Sequence, residues 1–282
     1  MPPHDVVTSG PAVRCAHVVK IYAAATGETQ ALRGVEAAFW PGTITAVMGP
    51  SGSGKSSLLS IVALRERATG GEIDLLGSPV SSLSTRAMAR LRRSALSWVS
   101  QSPVESLFPH LTAREQLAQA VPGEAAAYDE LLERLGLSSR AGARLGELSG
   151  GEQQRLALAA AAATRRPVLV ADEPTAQLDD QSTALVVDEL RRAAAGGACV
   201  IVSTHDDRLA RAADRVLALR HGVLSSERQE GGARLAAIDS TGRVALPPEA
   251  QAMFPDGRAE LEVHDGTVVL RPPRGADDGG AP

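Results

Sequence analysis

The chain has 282 residues, of which 44% are hydrophobic, and this is enough for one large domain with a small appendage. Its net charge of −4 and its pI near 5.9 give no sign of a nucleic-acid-binding protein. No stretch approaches the roughly 20 apolar residues that a membrane-spanning helix requires. The first residues, Met1 to Ala12, also lack the charged-then-apolar pattern of a secretion signal, so we expect the chain to remain in the cytoplasm.

Two residue types are rare enough for their positions to be informative. Cys15 and Cys199 are the only cysteines, and each lies in an apolar run, so we predict small core residues and no disulfide or metal site. Among the 29 basic residues, only Lys20 and Lys55 are lysines. A position at which this arginine-rich chain keeps a lysine is therefore a candidate for a specific role.

Segments typical of strands and helices alternate along most of the chain, which predicts an α/β fold with a largely parallel sheet covered by helices. The apolar runs predict strands at 13–22, 43–48, 72–76, 97–100, 168–171, 198–203 and 215–219, and helices at 56–64, 112–137 and 152–164. Helices interrupt the strands in the middle of the chain. We therefore predict a flexible N-terminus over 1–12, then one large α/β domain over 13–230 with a helical subdomain at about 102–160.

A Gly/Ser-rich loop separates the second predicted strand from the first helix and matches the phosphate-loop pattern at every fixed position. Its residues are Gly49, Pro50, Ser51, Gly52, Ser53, Gly54, Lys55 and Ser56, with Ser57 directly after. Glycines let consecutive backbone N–H groups turn toward an anion, and the helix N-terminus adds its positive end. The compact ammonium of Lys55 suits β- and γ-phosphate oxygens, and the Ser56 hydroxyl suits Mg²⁺. The loop predicts a nucleotide site but does not distinguish kinases, GTPases and ATPases.

Two adjacent carboxylates, Asp172 and Glu173, end the buried strand predicted at 168–171. Asp172 is suited to holding Mg²⁺ through its water shell, which is the Walker B role. Glu173 projects differently, since it is one residue further on, and is a candidate base for the attacking water.

The class is decided by a segment that opens a predicted helix shortly before this strand: Leu148-Ser149-Gly150-Gly151-Glu152-Gln153-Gln154-Arg155. Together with the phosphate loop and the acidic pair, it resembles the signature of the ABC ATPases, and the resemblance extends from Val13 to about Arg228. Ser149, Gly150 and Gly151 would form a second anion-binding helix N-terminus. The resemblance implies that this terminus contacts the γ-phosphate bound by another copy, so that two chains enclose two MgATP head to tail.

The same resemblance assigns roles to four further residues. Gln101 matches the Q-loop glutamine, which senses Mg²⁺ and the coupling interface, and Asp179 matches the D-loop aspartate. His205 matches the switch histidine near the γ-phosphate, and Tyr22 matches the aromatic residue that stacks on adenine. The predicted catalytic set is therefore Glu173, His205 and Gln101, and the predicted Mg²⁺ set is Ser56, Gln101 and Asp172.

Within the family, three segments resemble the lipoprotein-release and macrolide-export subgroup: Lys20-Ile21-Tyr22, Ala89-Arg90-Leu91-Arg92-Arg93 and Ala171-Asp172-Glu173-Pro174-Thr175. The resemblance implies a partner, an integral-membrane permease of the FtsX/MacB type with few transmembrane helices. The chain would then lie peripherally on the inner face of the cell membrane. The sequence departs from the subgroup at Gln177, where Asn is typical, and at 64–69, which lacks the usual Gly-Leu-Asp.

The tail at 234–272 is predicted to be a separate β-rich domain, with hairpins at 236–246 and 259–271 around a short helix begun by Pro248. It resembles the AbrB/MazE swapped-hairpin domain, an intertwined dimer common in DNA-binding regulators. The tail contains four arginines and six carboxylates, and this acidic balance favours dimerisation over DNA binding. The Gly/Asp/Pro-rich end at 273–282 is predicted to be disordered.

Two other function classes are compatible with an ABC ATPase. One is a soluble ATPase that acts on nucleic acid or ribosomes, but the 47 residues between Gln101 and Ser149 contain no heptad run and no cysteine, and the chain has one set of motifs. The other is a regulator in which ATP gates a DNA-binding tail, which the acidity of the tail disfavours. The sequence therefore predicts an ATP-hydrolysing transporter subunit, without indicating its substrate.

Overall fold

The computed structural model describes residues 10–24, 27–121, 125–229, 234–236, 244, 246, 248–265 and 267–273. The predicted joint at Gly231 lies outside these residues, as do nearly all of the first tail hairpin and of the C-terminal end, and most of the N-terminus. In the described part of the chain, strands and helices alternate around one large sheet and one smaller sheet. The predicted α/β fold is confirmed.

The large sheet carries the strands that lead to the predicted site. Five strands run parallel: β3 (Ile44–Met48), β6 (Leu96–Val99), β7 (Val168–Asp172), β8 (Cys199–Ser203) and β9 (Arg215–Arg220). Two more, β10 (Val223–Gln229) and β11 (Arg234–Ala236), add antiparallel strands at one edge. The strand order is β11-β10-β9-β3-β8-β7-β6, so β3 lies next to β8, and β8 next to β7. The carboxyl ends of these three strands therefore meet at one edge of the sheet.

The smaller sheet is antiparallel and has the order β2-β1-β4-β5. Its strands are β1 (Val13–Ala24), β2 (Gly27–Phe39), β4 (Gly70–Leu75) and β5 (Ser78–Pro79). The sequence did not predict β2. Its first half is almost wholly exposed and only its last residues alternate clearly between buried and exposed, so its hydrophobic pattern is weak.

Helices cover the sheets and build the insert. They are α1 (Lys55–Val62), α2 (Thr85–Ala95), α3 (Ala113–Ala120), α4 (Ala125–Arg134), α5 (Gly150–Ala163), α6 (Asp180–Ala195), α7 (Asp207–Ala212) and α8 (Pro248–Gln251). The predicted helices α1, α3, α4, α5 and α8 are present, whereas α2, α6 and α7 were not predicted. Helices α3, α4 and α5 contact one another and form the helical insert between β6 and β7.

The core forms two hydrophobic clusters, one on each face of the large sheet. Strand β7 shows the division, because Val168 and Val170 belong to one cluster, and Leu169 and Ala171 to the other. All five β7 residues are buried, as expected for a parallel strand covered on both faces. The strand is thus fixed from both sides, and so are the carboxylates at its end.

Both cysteines are core residues, as predicted. Cys15 and Cys199 are buried and unpaired with each other. Burial raises the pKa of each thiol to about 12, so both stay protonated at neutral pH.

The tail differs in part from the sequence-based division. Strand β11 lies in the segment assigned to the tail, yet it pairs with β10, with Ser226 opposite Ala236, and so extends the large sheet. The reason is that the edge of β10 presents unpaired backbone groups that the returning chain can satisfy. Further on, β12 (Glu260–His264) and β13 (Thr267–Arg271) form the second predicted hairpin.

Candidate nucleotide site

The loop between β3 and α1 can be built only with glycine at two points. At Gly49, a Cβ atom would overlap the carbonyl oxygen of Leu219. At Gly54, where φ is 102°, a Cβ atom would lie 2.5 Å from the carbonyl oxygen of Ala31. The loop therefore bends tightly against its neighbours, as a backbone cradle for an anion requires.

Helix α1 leaves its N-terminus open to a ligand. It has no side-chain cap and no acidic residue in its first turn. The Oγ of Ser53 inside the loop is buried and has no hydrogen-bond partner. Lys55 Nζ donates to the carbonyl oxygens of Gly49, at 2.9 Å, and Pro50, at 3.2 Å. Gly49, Pro50 and Lys55 line a cleft of about 540 Å³ that suits a triphosphate, whose oxygens would accept hydrogen bonds from Lys55 and from the helix N-terminus.

Glu173 lies at this cleft in a conformation that its surroundings impose. Its φ of 49° is left-handed, which is unfavourable for a residue with a side chain. Its backbone N–H donates to Ser203 Oγ at 2.9 Å, and its side chain is buried. Ser203 Oγ in turn donates to Asp172 Oδ1. A single buried hydroxyl thus contacts both the Asp172 carboxylate and the Glu173 backbone.

Two cationic or titratable groups approach the Glu173 carboxylate. His205 Nδ1 lies 2.9 Å from Glu173 Oε2, and Lys55 Nζ lies 4.0 Å from Glu173 Oε1. The His205 side chain is 73% exposed, so a ligand in the cleft can reach it. Gln101 lines the same cleft as these residues. The fold therefore brings together the phosphate loop, Gln101, Glu173 and His205, as the sequence predicted.

The three predicted Mg²⁺ ligands line a second, larger cleft of about 1240 Å³ that adjoins the loop. Ser56 supplies a hydroxyl, Gln101 an amide and Asp172 a carboxylate, and such oxygen donors suit a hard cation. Within the described ranges, no three His, Cys, Asp or Glu side chains form a metal cluster. One carboxylate fits a metal that takes its remaining ligands from phosphates and water, as Mg²⁺ does.

The signature segment opens α5 with a reciprocal cap. Ser149 Oγ accepts from the backbone N–H of Glu152 at 3.3 Å, and Glu152 Oε2 accepts from that of Ser149 at 2.7 Å. Gln153 Nε2 donates to the carbonyl oxygens of Leu145 and Leu148 and so fixes the preceding loop. Gly150 and Gly151 line the larger cleft.

Asp179 and Ser149 do not line the phosphate-loop cleft, judged on the residues that the structure describes. Asp179 caps α6, since its side chain accepts from the backbone N–H of Ser182 at 2.7 Å. This hydrogen bond holds the pKa of Asp179 below its usual range. Their predicted roles therefore depend on a second copy, and they remain predictions.

Tyr22 lies on β1, beside the first turn of α1. Its phenol oxygen donates to Glu66 Oε2 at 2.9 Å and lies 3.2 Å from Ser57 Oγ. Burial raises its pKa, and the Glu66 carboxylate adds to the rise. Its side chain remains 37% exposed, so an aromatic ligand can reach the ring. Its assignment as the adenine platform remains a prediction.

Ser203 is the site residue that sequence reasoning missed. A signal was present, because a serine ends the otherwise apolar strand predicted at 198–203, at the sheet edge where ligands bind. Its link to the carboxylates depends on the register of β7 and β8, in which Asp172 lies opposite Ser203. That register cannot be read from either strand alone.

Comparisons with known proteins agree with this site. A profile of the family described as ABC transporter matches residues 32–176. The chain is 38% identical over 228 residues to the lipoprotein-releasing system ATP-binding protein LolD 2 of Caulobacter vibrioides, covering 78% of this chain and 99% of that protein. It is 34% identical to the macrolide export ATP-binding/permease protein MacB of Marinobacter nauticus, over 75% of this chain but only 34% of that longer protein.

The fold is also similar to solved structures. The dimeric post-hydrolysis state of the ATP-binding cassette MJ0796 bound to ADP and Pi superposes with a TM-score of 0.72 at 30% identity, over 78% of this chain and all of that one. A second dimeric structure of MJ0796, described as a bacterial ABC transporter cassette, gives a TM-score of 0.71 at 29% identity.

The phosphate loop, the carboxylate pair and the signature helix define an ATP-hydrolysing cassette. The chain belongs to the ABC transporter family, as an ATP-binding and ATP-hydrolysing subunit of the group that contains the LolD and MacB proteins. The predicted family and activity are confirmed, and neither alternative function finds support in these comparisons. None of the helices in the described part of the chain combines the length and hydrophobicity that a bilayer crossing requires.

Proposed function

We propose that this chain powers a separate integral-membrane permease of the FtsX/MacB type, lying peripherally on the inner face of the cell membrane. Two copies, or one copy with a different ABC subunit, would close around two MgATP and reopen after hydrolysis. The observation that carries the proposal is the set of contacts at Glu173. Its carboxylate lies within reach of both Lys55 and His205, while Ser203 fixes its backbone beside Asp172.

Binding would rely on the phosphate loop. The uncapped N-terminus of α1 supplies backbone N–H groups, and Lys55 would leave its two carbonyl acceptors to reach phosphate oxygens. Ser56, Asp172 and Gln101 would hold Mg²⁺, which when bound supplies positive charge to the phosphate oxygens during transfer.

Hydrolysis would use Glu173 as the base. It would accept a proton from a water whose oxygen attacks the γ-phosphorus, while the bond from that phosphorus to the leaving ADP oxygen breaks. His205, 2.9 Å from Glu173 Oε2, would orient the carboxylate and contact the γ-phosphate. Placing both groups in advance lowers the barrier, because they need not reorganise as charge develops.

The signature segment would act on the other copy. Ser149, Gly150 and Gly151 stand at the N-terminus of α5, a helix end that favours anions. They do not line the phosphate-loop cleft of their own chain, within the part that the structure describes. A head-to-tail dimer would deliver them to the γ-phosphate of the partner, with Asp179 at the same contact.

Coupling to the permease would run through the segment after Gln101. Val104 is 51% exposed and Phe108 is 48% exposed, which is unusual for large apolar side chains. The buried Gln116 holds the loop in shape, since it accepts from the backbone N–H of Phe108 at 3.0 Å and donates to its carbonyl oxygen at 2.6 Å. A short helix of a permease would cover these two side chains.

For the tail, we propose a role in self-association, as expected from the resemblance to swapped-hairpin domains. On the β12–β13 hairpin, Leu261 lies opposite Leu270 and Val263 opposite Val268, so one face carries four apolar side chains. Three of them, Leu261, Val263 and Val268, are 60% exposed or more. A two-stranded hairpin is only marginally stable on its own, and pairing with a second copy would cover this apolar face.

The test is co-purification of the Glu173→Gln variant from membranes in the presence of MgATP. The variant is expected to bind ATP but to hydrolyse it about 100-fold or more slowly, because the base is lost while the geometry remains. The dimer would stay closed, and a polytopic permease should be recovered with it. The Glu36→Gln variant, at an exposed glutamate on β2, is the matched control and should hydrolyse ATP at the wild-type rate.

Recovery of nucleic acid or ribosomes without a permease would overturn the transport proposal. Loss of recovery when Phe108→Ala is added to Glu173→Gln would support the coupling surface, provided that MgATP binding is retained. Recovery that is unchanged by that addition would remove Phe108 from the interface.

A further inference from the structure

The Tyr22 ring is held by two charged side chains that none of the ATPase motifs includes. Lys20 Nζ lies 4.7 Å from the ring centroid, over one face of the ring. Glu66 Oε2 accepts from the Tyr22 hydroxyl at 2.9 Å and lies 2.9 Å from Lys20 Nζ. The three side chains therefore form a closed triangle on the surface of β1, in which each member contacts the other two.

Glu66 belongs to the segment 64–69, where the sequence departs from its subgroup. This segment is anchored at several points. The Arg65 guanidinium lies over the Trp98 ring at 5.1 Å, and Thr69 Oγ1 accepts from the backbone N–H of Ile21 at 3.0 Å. Lys20 Nζ also donates to the carbonyl oxygen of Arg67 at 3.0 Å. The Glu66 carboxylate therefore belongs to a loop held in one conformation, and it can hold the side chains of Tyr22 and Lys20 in place.

The charges in the triangle favour this arrangement. The Lys20 side chain is only 14% exposed, so its ammonium depends for compensation on Glu66, the carbonyl oxygen of Arg67 and the ring. Burial raises the pKa of Glu66, but the hydrogen bonds from Lys20 and Tyr22 outweigh it and leave the pKa below its usual range. Glu66 is consequently ionised at neutral pH, and the ion pair with Lys20 persists.

The triangle does not enclose Tyr22. Lys20 lies over one face of its ring, yet the residue retains 37% exposure. The phenol end points to Ser57 on the first turn of α1, so the ring stands beside the phosphate-binding loop. We propose that Lys20 and Glu66 are positioning residues that hold Tyr22 ready to stack on the nucleobase of the bound nucleotide. This inference rests on the proposed role of Tyr22 as the base platform.

The consequence is specific to the base. A fixed ring loses less conformational entropy on stacking, so Lys20 and Glu66 strengthen the binding of nucleotides. They make no contribution to a ligand that has only phosphates. If the ion pair between β1 and the segment 64–69 only stabilised the fold, its removal would change the affinities for nucleotides and for phosphate-only ligands equally, or change neither.

The experiment compares MgADP with magnesium pyrophosphate, by calorimetry on the full chain. Lys20→Met and Glu66→Gln are each expected to weaken MgADP binding by about 3- to 10-fold and to change pyrophosphate binding by less than about 2-fold, since a single ordered contact is lost. Tyr22→Ala should weaken MgADP by about 5- to 150-fold, the range for loss of one stacked base. Lys20→Arg should weaken MgADP binding less than Lys20→Met does, because a guanidinium keeps a cation that can pair with Glu66 and cover the ring.

A double-mutant cycle identifies the route of the effect. In the Tyr22→Ala background, Lys20→Met should cause no further loss, because it acts through the ring. Tyr22→Phe keeps the ring but lacks the hydroxyl that Glu66 accepts from, so it should also weaken MgADP binding, though by no more than Glu66→Gln, which removes the ion pair with Lys20 as well. This variant also serves if Lys20→Met does not fold. Glu36→Gln, which removes a half-exposed carboxylate from the same sheet, should leave both ligands unaffected.

The inference is overturned if Lys20→Met and Glu66→Gln bind MgADP as the wild type does, if pyrophosphate weakens equally, or if the losses add fully in the cycle. Failure of the proposed function has other signs. A wild-type chain that binds neither ligand would remove the phosphate-loop site, and a Tyr22→Ala variant with full MgADP affinity would remove the base platform itself.

Discussion

Helices α1 and α5 both begin at Gly/Ser-rich segments of the kind that bind anions, yet their N-termini are prepared in opposite ways. Helix α1 starts after Gly54 with no side-chain cap and with Lys55 in its first turn. Helix α5 starts with the Ser149–Glu152 capping box, and Glu152 also pairs with Arg140 at 3.1 Å. The first helix end is positive and open to a ligand, whereas the second carries its own carboxylate.

The difference has a physical meaning for the working cycle. An uncapped helix end stores unsatisfied N–H groups, which favours binding of phosphate by a single chain. A capped end is stable without a ligand, so the signature segment keeps its shape while the two copies are apart. We infer that nucleotide binding precedes dimer closure, since only one of the two anion sites is prepared in the separate chain.

The sharpest way to break the comparison is to add one methyl group to each helix start. Gly54→Ala should cost about 1 to 3 kcal/mol of unfolding free energy because of strain at φ 102°, and should weaken MgADP binding about 100-fold or more as the cradle distorts. Gly150→Ala, with nothing within 4 Å of the added Cβ, should retain or gain stability and bind MgADP normally.

Urea unfolding and calorimetry on both variants check this pair. Equal losses of MgADP affinity in Gly54→Ala and Gly150→Ala would mean that the two helix ends are equivalent in the separate chain. In that case, the inferred order of binding before closure would be wrong.

The next prediction tests whether the carboxylates beside the phosphate loop are already oriented for ATP hydrolysis. Ser203→Ala removes the hydroxyl that contacts both Asp172 and the backbone of Glu173. Loss of such an orienting group should lower kcat for ATP about 10- to 100-fold while KM changes little. Steady-state kinetics measure this, with Ser226→Ala, a buried serine on β10, as the control for removing a hydroxyl. An unchanged kcat would contradict the role of Ser203.

A smaller effect is expected at the cap of α5. Ser149→Ala should lower the unfolding free energy by about 1 kcal/mol, as loss of an N-cap commonly does, and should also reduce ATP-driven dimerisation. Ser84→Ala removes the N-cap of α2 and should cost similar stability without affecting dimerisation. Denaturant unfolding and sedimentation with MgATP separate the two. A Ser149→Ala chain that dimerises normally would remove this side chain from the interface.

The smallest effect is the pH dependence of the capping box. The backbone N–H of Ser149 donates to Glu152 and lowers the pKa of its carboxyl. Because the pKa is lower in the folded state, this contribution to stability is complete above the unfolded value of about 4.3 and is lost as pH falls through the folded value. The difference in unfolding free energy between wild type and Glu152→Gln should be constant near neutral pH and shrink below about pH 4. A difference that shrinks near pH 6 would assign the effect to a histidine.

The parts of the molecule that the sequence predicted are those set by short-range patterns. The phosphate loop, Asp172 with Glu173, and the signature segment each consist of adjacent residues whose types and spacing carry the chemistry. Because each lies at the end of an apolar strand or the start of a helix, its position at the carboxyl edge of a parallel sheet could also be anticipated.

The parts that could not be predicted depend on contacts between distant segments. Ser203 reaches Asp172 only through the register of β7 and β8. Glu66 meets Tyr22 across 44 positions of sequence, through a loop that departs from the family pattern. Helix α6 was missed although its signal is local, since the buried residues Val186, Leu190 and Ala194 recur at helical spacing.

The pairing of β11 with β10 bears on how copies of this chain could associate. Strand β11 (Arg234–Ala236) pairs with residues 226–228 of β10, so the backbone of this part of β10 is already hydrogen-bonded to a neighbouring strand. Long, bare edge strands invite other chains to add to the sheet and so begin aggregation. In the proposed dimer, this covered stretch of edge would favour encounters through helix ends over strand addition.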